Sequence, residues 1–202
     1  MVDLYIYTFY DETKYWIMDN NKILFNLEVN ERRISENFYD LFDNAGVKFN
    51  EIKRFAFING PGSFTSLRFF LTFAKGLKVS VPDIEIIPLN LLELMAFTQN
   101  GEVNVIMGGS REFLKFFHYG KYRKTDNDFK IIEDVKLISY EDAKKIENPL
   151  FIGVKPDFDI NEYNIDLIDM INFSDYKSEK GDIENIISLT PYYYKQFVTK
   201  KV

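Results

Sequence analysis

The chain has 202 residues, 46% hydrophobic and 17% aromatic, with a formal net charge of −6. That length suits one large domain or two small ones, and the acidic balance argues against tight autonomous binding of nucleic acid, which basic surfaces recognise. The absence of Cys excludes disulfides and thiolate metal sites, and the single His118 excludes any site that needs two histidines.

The amino terminus predicts neither a secretory signal nor a membrane anchor. Met1 is followed by a short mixed segment with neither a basic region nor a long apolar region. No apolar stretch approaches the roughly 20 residues that a membrane-spanning helix needs. The sequence therefore predicts a soluble, cytoplasmic protein.

The first third of the chain predicts a three-stranded antiparallel meander and a helix. Residues 3–16 are rich in Tyr, Ile and Phe and are interrupted at residues 11–13, and a turn at residues 19–21 precedes a strand at residues 22–29. Residues 32–45 repeat apolar side chains at helical spacing and end at Gly46, which predicts an amphipathic helix.

The most informative stretch follows. Residues 53–58 predict a buried strand, residues 60–62 form a Gly-Pro-Gly turn, and a long helix begins behind it. Because the first amides of a helix lack partners, such a turn can cradle an anion. The alternative is that the glycines only make a tight turn that lets strand and helix pack closely, and the P-loop pattern is missing. The candidate nucleotide or anion contacts are Gly60, Gly62 and Ser63.

The long helix is apolar around most of its circumference, and a helix of this kind is normally buried. One face carries Phe64, Leu67, Leu71 and Ala74, and another carries Phe69, Phe70, Phe73 and Leu77. A chain of this size can cover one face with its own sheet. The sequence therefore predicts that the helix at residues 32–45, together with a second subunit, covers the other.

The second half of the chain predicts a further α+β region. Asn90, with Glu93 three residues on, is placed to cap a helix at residues 91–97, and the polar linker that follows predicts a division into residues 1–98 and 99–202. The element order favours an α/β fold with a mixed sheet in the first half. The remaining predicted elements are a strand at 83–87 ended by Pro88, strands at 103–107, 112–119, 129–132, 135–138 and 150–154, a hairpin-like turn at 108–110, a charged loop at 120–127, and short helices from Ser139 and at 166–171 and 183–189.

Residues 60–68, Gly-Pro-Gly-Ser-Phe-Thr-Ser-Leu-Arg, resemble the bacterial TsaB (YeaZ) family, which typically has Gly at the position of Ser66 and matches the other eight residues. Three shorter motifs support the resemblance: residues 34–36 correspond to part of a His-Ser-Glu helix, 74–77 to Ala-Lys-Gly-Leu, and 91–96 to Ser-Leu-Glu-x-x-Ala. The resemblance is good over residues 24–97.

The resemblance implies a fold of the actin/Hsp70/sugar-kinase (ASKHA) type, an α/β fold with two lobes of mixed β-sheets flanked by helices and a degenerate second lobe. It implies a non-catalytic scaffold that activates a TsaD-like threonylcarbamoyltransferase in the N6-threonylcarbamoyladenosine modification of tRNA, together with a TsaE-like ATPase. We expect tRNA to be bound mainly through the complex, and the isolated chain is a candidate homodimer. No catalytic residue, metal or independently bound cofactor is expected, and ATP or ADP is a candidate ligand only at the complex interface.

In that family the first two helices form the interface with the TsaD-like subunit, and they correspond here to residues 32–45 and 64–79. The apolar second helix agrees with this. An alternative is that Arg68 and Lys75 are solvated edge residues and that Tyr39 is an ordinary surface tyrosine. The candidate interface residues are Ser35, Phe38, Tyr39, Phe42, Phe64, Leu67, Arg68, Leu71, Thr72 and Lys75.

The alternative function is that of a nucleotide-binding ATPase or kinase-like enzyme of the same superfamily. Such an enzyme needs carboxylates at its phosphate loops, but the family's Asp-Thr-Ser-Thr reads Tyr-Thr-Phe-Tyr at residues 7–10. Asp3, Asp11 and Glu12 flank the first hairpin, and solvated turn acids are the simpler interpretation. Proteolysis is rejected because the sequence contains no recognisable Ser-His-Asp arrangement. Ser63, a candidate nucleophile, is better explained as the N-cap of a helix.

Overall fold

The computed structural model describes residues 1–29, 34–108, 116–158, 160–181, 186 and 188–190, with the backbone alone at residues 34–37. The strands are β1 Val2–Phe9, β2 Glu12–Asp19, β3 Lys22–Val29, β4 Ile52–Gly60, β5 Glu85–Asn90, β6 Gly101–Gly108, β7 Phe116–Thr125, β8 Asp128–Ser139, β9 Leu150–Ile152 and β10 Asn161–Glu162. The helices are α1 Ile34–Ala45, α2 Phe64–Ser80, α3 Leu91–Phe97, α4 Tyr140–Ala143 and α5 Leu167–Glu179.

The strands form two mixed five-stranded sheets. The first has the order β3-β2-β1-β4-β5 and the second β10-β9-β6-β7-β8. In the first sheet β1 runs antiparallel to β2 and parallel to β4, and β4 runs parallel to β5. The predicted opening meander and the predicted mixed sheet in the first half are therefore confirmed.

The first sheet is covered by helices on both faces. The side chains of its central strand β1 show this, because they enter two different cores. Leu4 and Ile6 point into a core shared with α1 and α2. Tyr5 and Tyr7 point the other way, into a core shared with α3 and α5. Side chains alternate between the faces of a strand, so a strand buried along nearly its whole length must lie between two layers.

Helix α5 follows the second sheet in the chain but packs against α3 and against β1 and β5 of the first sheet. Arg54 of β4 fixes this contact: its Nε lies 2.6 Å from an oxygen of Glu85, and its Nη1 lies 2.5 Å from an oxygen of Asp175 on α5. The core on this side also includes Val105 and Tyr122 of the second sheet. The division into residues 1–98 and 99–202 remains a prediction about folding units.

The capping interaction predicted for α3 is present. The Asn90 side-chain oxygen accepts hydrogen bonds from the amides of Leu92, at 2.9 Å, and Glu93, at 3.4 Å. Both donors belong to the first helical turn, where no intrahelical acceptor exists. The cap thereby fixes the point at which the edge strand β5 turns into the buried helix.

Replacing Asn90 by Ala should lower the free energy of unfolding by about 1 kcal/mol, because the cap is lost at a buried position. Urea denaturation followed by circular dichroism measures the change. Asn44→Ala, at an exposed position near the end of α1, is the matched control and should shift the midpoint far less. Equal midpoints for the two variants would contradict a stabilising role for the cap.

Several predicted boundaries are wrong. Strand β5 continues through Pro88 to Asn90, and Pro88 pairs with Phe57. Proline is tolerated there because β5 is the edge strand of its sheet. The predicted strands at 129–132 and 135–138 form the single strand β8, and α5 extends well beyond 166–171.

The predicted charged loop at residues 120–127 is largely strand β7, which continues to Thr125. Lys121 and Arg123 both pair with Glu102 on the neighbouring strand β6, so their charges are compensated within the sheet. Gly120 is required because a Cβ there would lie 2.7 Å from the ring of Tyr122.

The start of the predicted strand at 112–119, and most of the predicted turn at 108–110 and helix at 183–189, lie outside the described residues.

Among the described residues, no helix has the length and apolar character needed to cross a membrane.

Candidate partner interface

The inner faces of α1 and α2 form part of the protein's own core. Phe38 and Phe42 of α1, and Leu71 of α2, pack against the first sheet, and Leu67 is buried in the core on its other side. These four residues were predicted to contact a partner directly. All four are buried within the folded chain, and their direct contact with a partner remains a prediction.

The outer faces of the two helices enclose an open furrow of about 590 Å³. Tyr39 is 63% exposed at its rim, and Phe49 is 40% exposed. Five of the seven described lining residues are aromatic. The lining consists of Phe38, Tyr39, Phe49, Arg68, Phe69, Thr72 and Phe73.

The floor of the furrow is a cluster of rings packed mostly edge to face. The Phe38 ring lies 4.6 Å from that of Phe73 and 5.3 Å from that of Phe69. Phe49 lies 4.6 Å from Phe42 and 5.7 Å from Phe73. Such pairs contribute about 0.5–1.5 kcal/mol each beyond the area they bury. The furrow is therefore built before any partner arrives.

The exposed surfaces of the two helices carry opposite charges. Asp40 and Asp43 are exposed on α1, whereas Arg68 is exposed and Lys75 half-buried on α2. The Arg68 guanidinium lies 3.9 Å from the centre of the Phe64 ring, a cation–π arrangement. The furrow is thus an aromatic channel with one cationic side chain, Arg68, in its lining.

Three of the predicted interface residues, Tyr39, Arg68 and Thr72, line the furrow, and Phe64 lies against Arg68. Lys75 is half-buried further along the same helix, and its contact with a partner remains a prediction. The side chain of Ser35 lies outside the described part. Sequence reasoning missed Phe49, which lies on a single 3₁₀ turn, Phe49–Glu51, with no periodic pattern to reveal it. Phe69 and Phe73 belong to the second apolar face of the long helix, so the signal for them was present in the sequence.

The glycine turn lies at one end of α2. Gly60 has a φ of 127°, which favours glycine. A Cβ atom added to Gly62 would lie 3.8 Å from the Thr8 carbonyl oxygen. Ser63 occupies the N-cap position, but its side chain makes no capping hydrogen bond among the described residues. Contact of Gly60, Gly62 and Ser63 with a nucleotide or anion remains a prediction.

The first hairpin, where a kinase-like enzyme would need its carboxylate, is packed with large side chains. Tyr7 and Phe9 are buried. Burial, with the nearby Glu12 charge, raises the pKa of the Tyr7 hydroxyl far above its usual range and keeps it neutral. The buried Lys14 ammonium is held 2.9 Å from a Glu12 oxygen and 3.2 Å from the Asn164 side-chain oxygen. Asp3 lies at the opposite end of β1.

Within the described residues, no group of three or more His, Asp or Glu side chains is arranged to hold a metal ion.

Two mixed sheets in these strand orders, flanked by helices, define the ASKHA class of proteins, so the predicted fold class is confirmed. A solved structure from Pseudomonas aeruginosa, described as an uncharacterized protein with similarity to peptidase YeaZ, matches with a TM-score of 0.70 at 14% identity, covering 96% of this chain and 99% of that chain. YeaZ from Pseudomonas aeruginosa gives a TM-score of 0.67 at 14% identity, covering 95% of this chain and 99% of that chain.

The sequence profile described as TsaD, tRNA N6-adenosine threonylcarbamoyltransferase, matches residues 30–174. The chain therefore belongs to the TsaD family. A comparison with curated proteins gives no match. Family membership, together with the YeaZ-like fold over nearly the whole chain, agrees with the resemblance carried by residues 60–68.

Proposed function

We propose that this protein is a non-catalytic scaffold that activates a TsaD-type threonylcarbamoyltransferase in the N6-threonylcarbamoyladenosine modification of tRNA. The aromatic furrow on α1 and α2 carries the proposal. Exposed apolar patches on soluble proteins mark interaction sites, and interfaces are enriched in aromatic residues and Arg at their centres. The furrow has both features.

The chain's net charge supports one further part of the proposal, and the other partners are proposed from the family resemblance. A protein with a net charge of −6 is poorly suited to holding tRNA alone, so a more basic subunit supplies most phosphate contacts. A TsaE-like ATPase joins the complex, ATP or ADP binds at its interface near the glycine turn, and the assembly works in the cytoplasm. Without its partner the chain forms a homodimer through the same surface.

The packing of the first hairpin supports the scaffold function over that of an ATPase. The place of the superfamily's phosphate-binding carboxylate is taken by Tyr7, buried and neutral. Neighbouring Phe9 and Tyr10 add further bulk, and their rings contact each other at 4.5 Å. Charge stabilisation of a transferring phosphoryl group needs metal-binding or cationic groups. Tyr7, Phe9 and Tyr10 supply neither, and the nearby Lys14 ammonium is already paired with Glu12.

The test is complex formation with the TsaD-type protein of the same organism, measured by size-exclusion chromatography with light scattering. The wild-type chain should form a stable complex and raise threonylcarbamoyl transfer to tRNA by the TsaD-type and TsaE-type proteins. Phe64→Asp should lose both effects, because it places a charge in the interface. Phe116→Asp is the control: Phe116 is 47% exposed against 40% for Phe64, but lies on the second sheet.

Absence of a complex at micromolar concentration would overturn the proposal. ATP hydrolysis by the isolated chain would favour the enzymatic alternative instead.

A further inference from the structure

The two sheets have four edge strands within the described residues, and three of them carry features that hinder pairing with another chain. Strand β5 contains Pro88, which has no N–H to donate, and β10 has only two residues. Strand β8 is interrupted by two register shifts and carries the exposed Lys130 and Lys136. Proline, short length, bulges and charged side chains are the usual means by which proteins protect a sheet edge.

The fourth edge, β3, lacks this protection over its second half. Its one register shift lies near its start, opposite the step from Ile17 to Met18, and residues 25–29 pair regularly with β2. In the part of the chain that the structure describes, no strand pairs with the other side of β3. Residues 25–29 therefore form a regular edge onto which a further strand can add.

The side chains of this segment alternate between two chemically different faces. Phe25, Leu27 and Val29 lie on the face covered by α1, where they are half-buried against the core. Asn26 and Glu28 lie on the opposite face and are exposed. Directly opposed residues of an antiparallel pair place their side chains on the same face of the sheet. An added strand must therefore match apolar residues on one face and polar residues on the other.

A second copy of the same segment, antiparallel about Leu27, meets this requirement. Leu27 then opposes its own copy, Phe25 opposes Val29, and Asn26 opposes Glu28. The apolar pairs lie on the α1 face. On the other face, the Asn26 amide is placed to donate to the Glu28 carboxylate of the second copy, twice in each dimer. A shift by one residue would place apolar side chains opposite polar ones, so the pattern selects a single register.

We propose that the protein self-associates through β3, with two copies joined antiparallel about Leu27 so that their first sheets form one sheet of ten strands. The occupant is a second copy because residues 25–29 supply a matching residue for each of their own positions. This edge is separate from the aromatic furrow on α1 and α2. The inference is therefore independent of the proposed function.

A single introduced thiol tests the register, because the chain contains no Cys. All test proteins carry Phe64→Asp, which removes self-association through the helices. Added to it, Leu27→Cys should bring the two Cα atoms to about 4.5–5.5 Å, within the range of a disulfide. Mild oxidation should then convert most of the protein to a covalent dimer on a non-reducing gel.

Glu28→Cys is the control for accidental oxidation, because residue 28 is the more exposed of the two positions. In the proposed register the two copies of residue 28 are diagonal neighbours about 7–8 Å apart, too far for a disulfide. This variant should therefore remain largely monomeric. Equal cross-linking of the two variants, or a monomeric Leu27→Cys protein, would overturn the proposed pairing.

Charge changes at Asn26 test the same pairing without a covalent bond. Asn26→Lys places an ammonium opposite the Glu28 carboxylate of the second copy, whereas Asn26→Glu places two carboxylates opposite each other. At about 0.5 kcal/mol for each of two pairs, the Kd of self-association should fall about fivefold for Asn26→Lys and rise about fivefold for Asn26→Glu. Analytical ultracentrifugation measures both values in the Phe64→Asp background.

The same two substitutions at Asn100, which is exposed and lies outside β3, control for the change in net charge and should alter Kd by less than about twofold. Shifts of the same sign for Asn26→Lys and Asn26→Glu would overturn the register. Unchanged urea midpoints establish that the variants fold. Binding of the TsaD-type protein is measured separately, so failure of this inference leaves the proposed function standing, and the reverse also holds.

Discussion

Replacing Phe38 by Ala should lower the free energy of unfolding by about 3–5 kcal/mol, the usual cost of deleting a fully buried ring. Phe38 is 1% exposed, and its ring contacts those of Tyr15, Phe70 and Phe73. The cavity would lie between α1, α2 and the first sheet, where packed rings cannot easily collapse. Domains are stable by only about 5–15 kcal/mol, so urea denaturation should show a large loss.

Tyr39→Ala is the matched control, because it changes the next residue of the same helix, which is 63% exposed. We expect it to alter stability by no more than about 0.5 kcal/mol, yet to weaken binding of the TsaD-type protein. The two variants thus separate folding from association. Equal losses of stability in both would show that the orientation of α1 has been misassigned. A charge at Phe38 or Leu71 is an unsuitable probe of the interface, since it would unfold the protein.

Acidification from about pH 7 to about pH 4.5 should destabilise the protein through His118 by about 2–3 kcal/mol. Burial within β7 lowers the pKa of His118 from 6.5 to about 4. Above pH 6.5 the histidine is neutral in both states. Between pH 6.5 and 4 the unfolded chain binds a proton that the folded protein excludes, so stability falls. Below pH 4 both states are protonated and the loss ends.

The measurement is urea denaturation of wild type and His118→Gln at both pH values. Gln does not titrate, so this variant should lose about 2–3 kcal/mol less than wild type over the same interval. The comparison cancels the opposite contributions of Asp3 and Asp169, whose pKa values burial raises and which favour folding as they become protonated. Identical pH dependences in the two proteins would contradict a half-buried, neutral His118.

Local patterns were sufficient to predict the opening meander, the strand–turn–helix unit at residues 52–80 and the Asn90 cap, because each depends on neighbours in sequence. They were insufficient for β7, whose second half contains Gly and Lys, residue types that are depleted in strands. Lys121 and Arg123 are accommodated in a strand because Glu102 lies across from them. That pairing depends on a register that no single segment encodes.

The interface illustrates the same limit. Periodicity revealed two apolar faces on α2 but gave no means of deciding which one the sheet would cover. Leu67 and Leu71 were assigned to the partner, whereas packing buries both. Phe49 joins the furrow from a separate turn, a contact that arises only once α1 and α2 are docked.

The return of α5 to the first sheet has a consequence for synthesis. As the nascent chain leaves the ribosome, β1, β4 and β5 can assemble as soon as residue 90 emerges, but one of their faces must wait for residues 167–179. Until then that face, which includes Tyr5 and Tyr7, still lacks one of the helices that cover it in the folded protein. Transiently exposed apolar surface promotes aggregation. Helix α5, the last helix within the described residues, therefore completes a core that the first strand began, and this face of the sheet is protected from misassembly only after residue 179 has been translated.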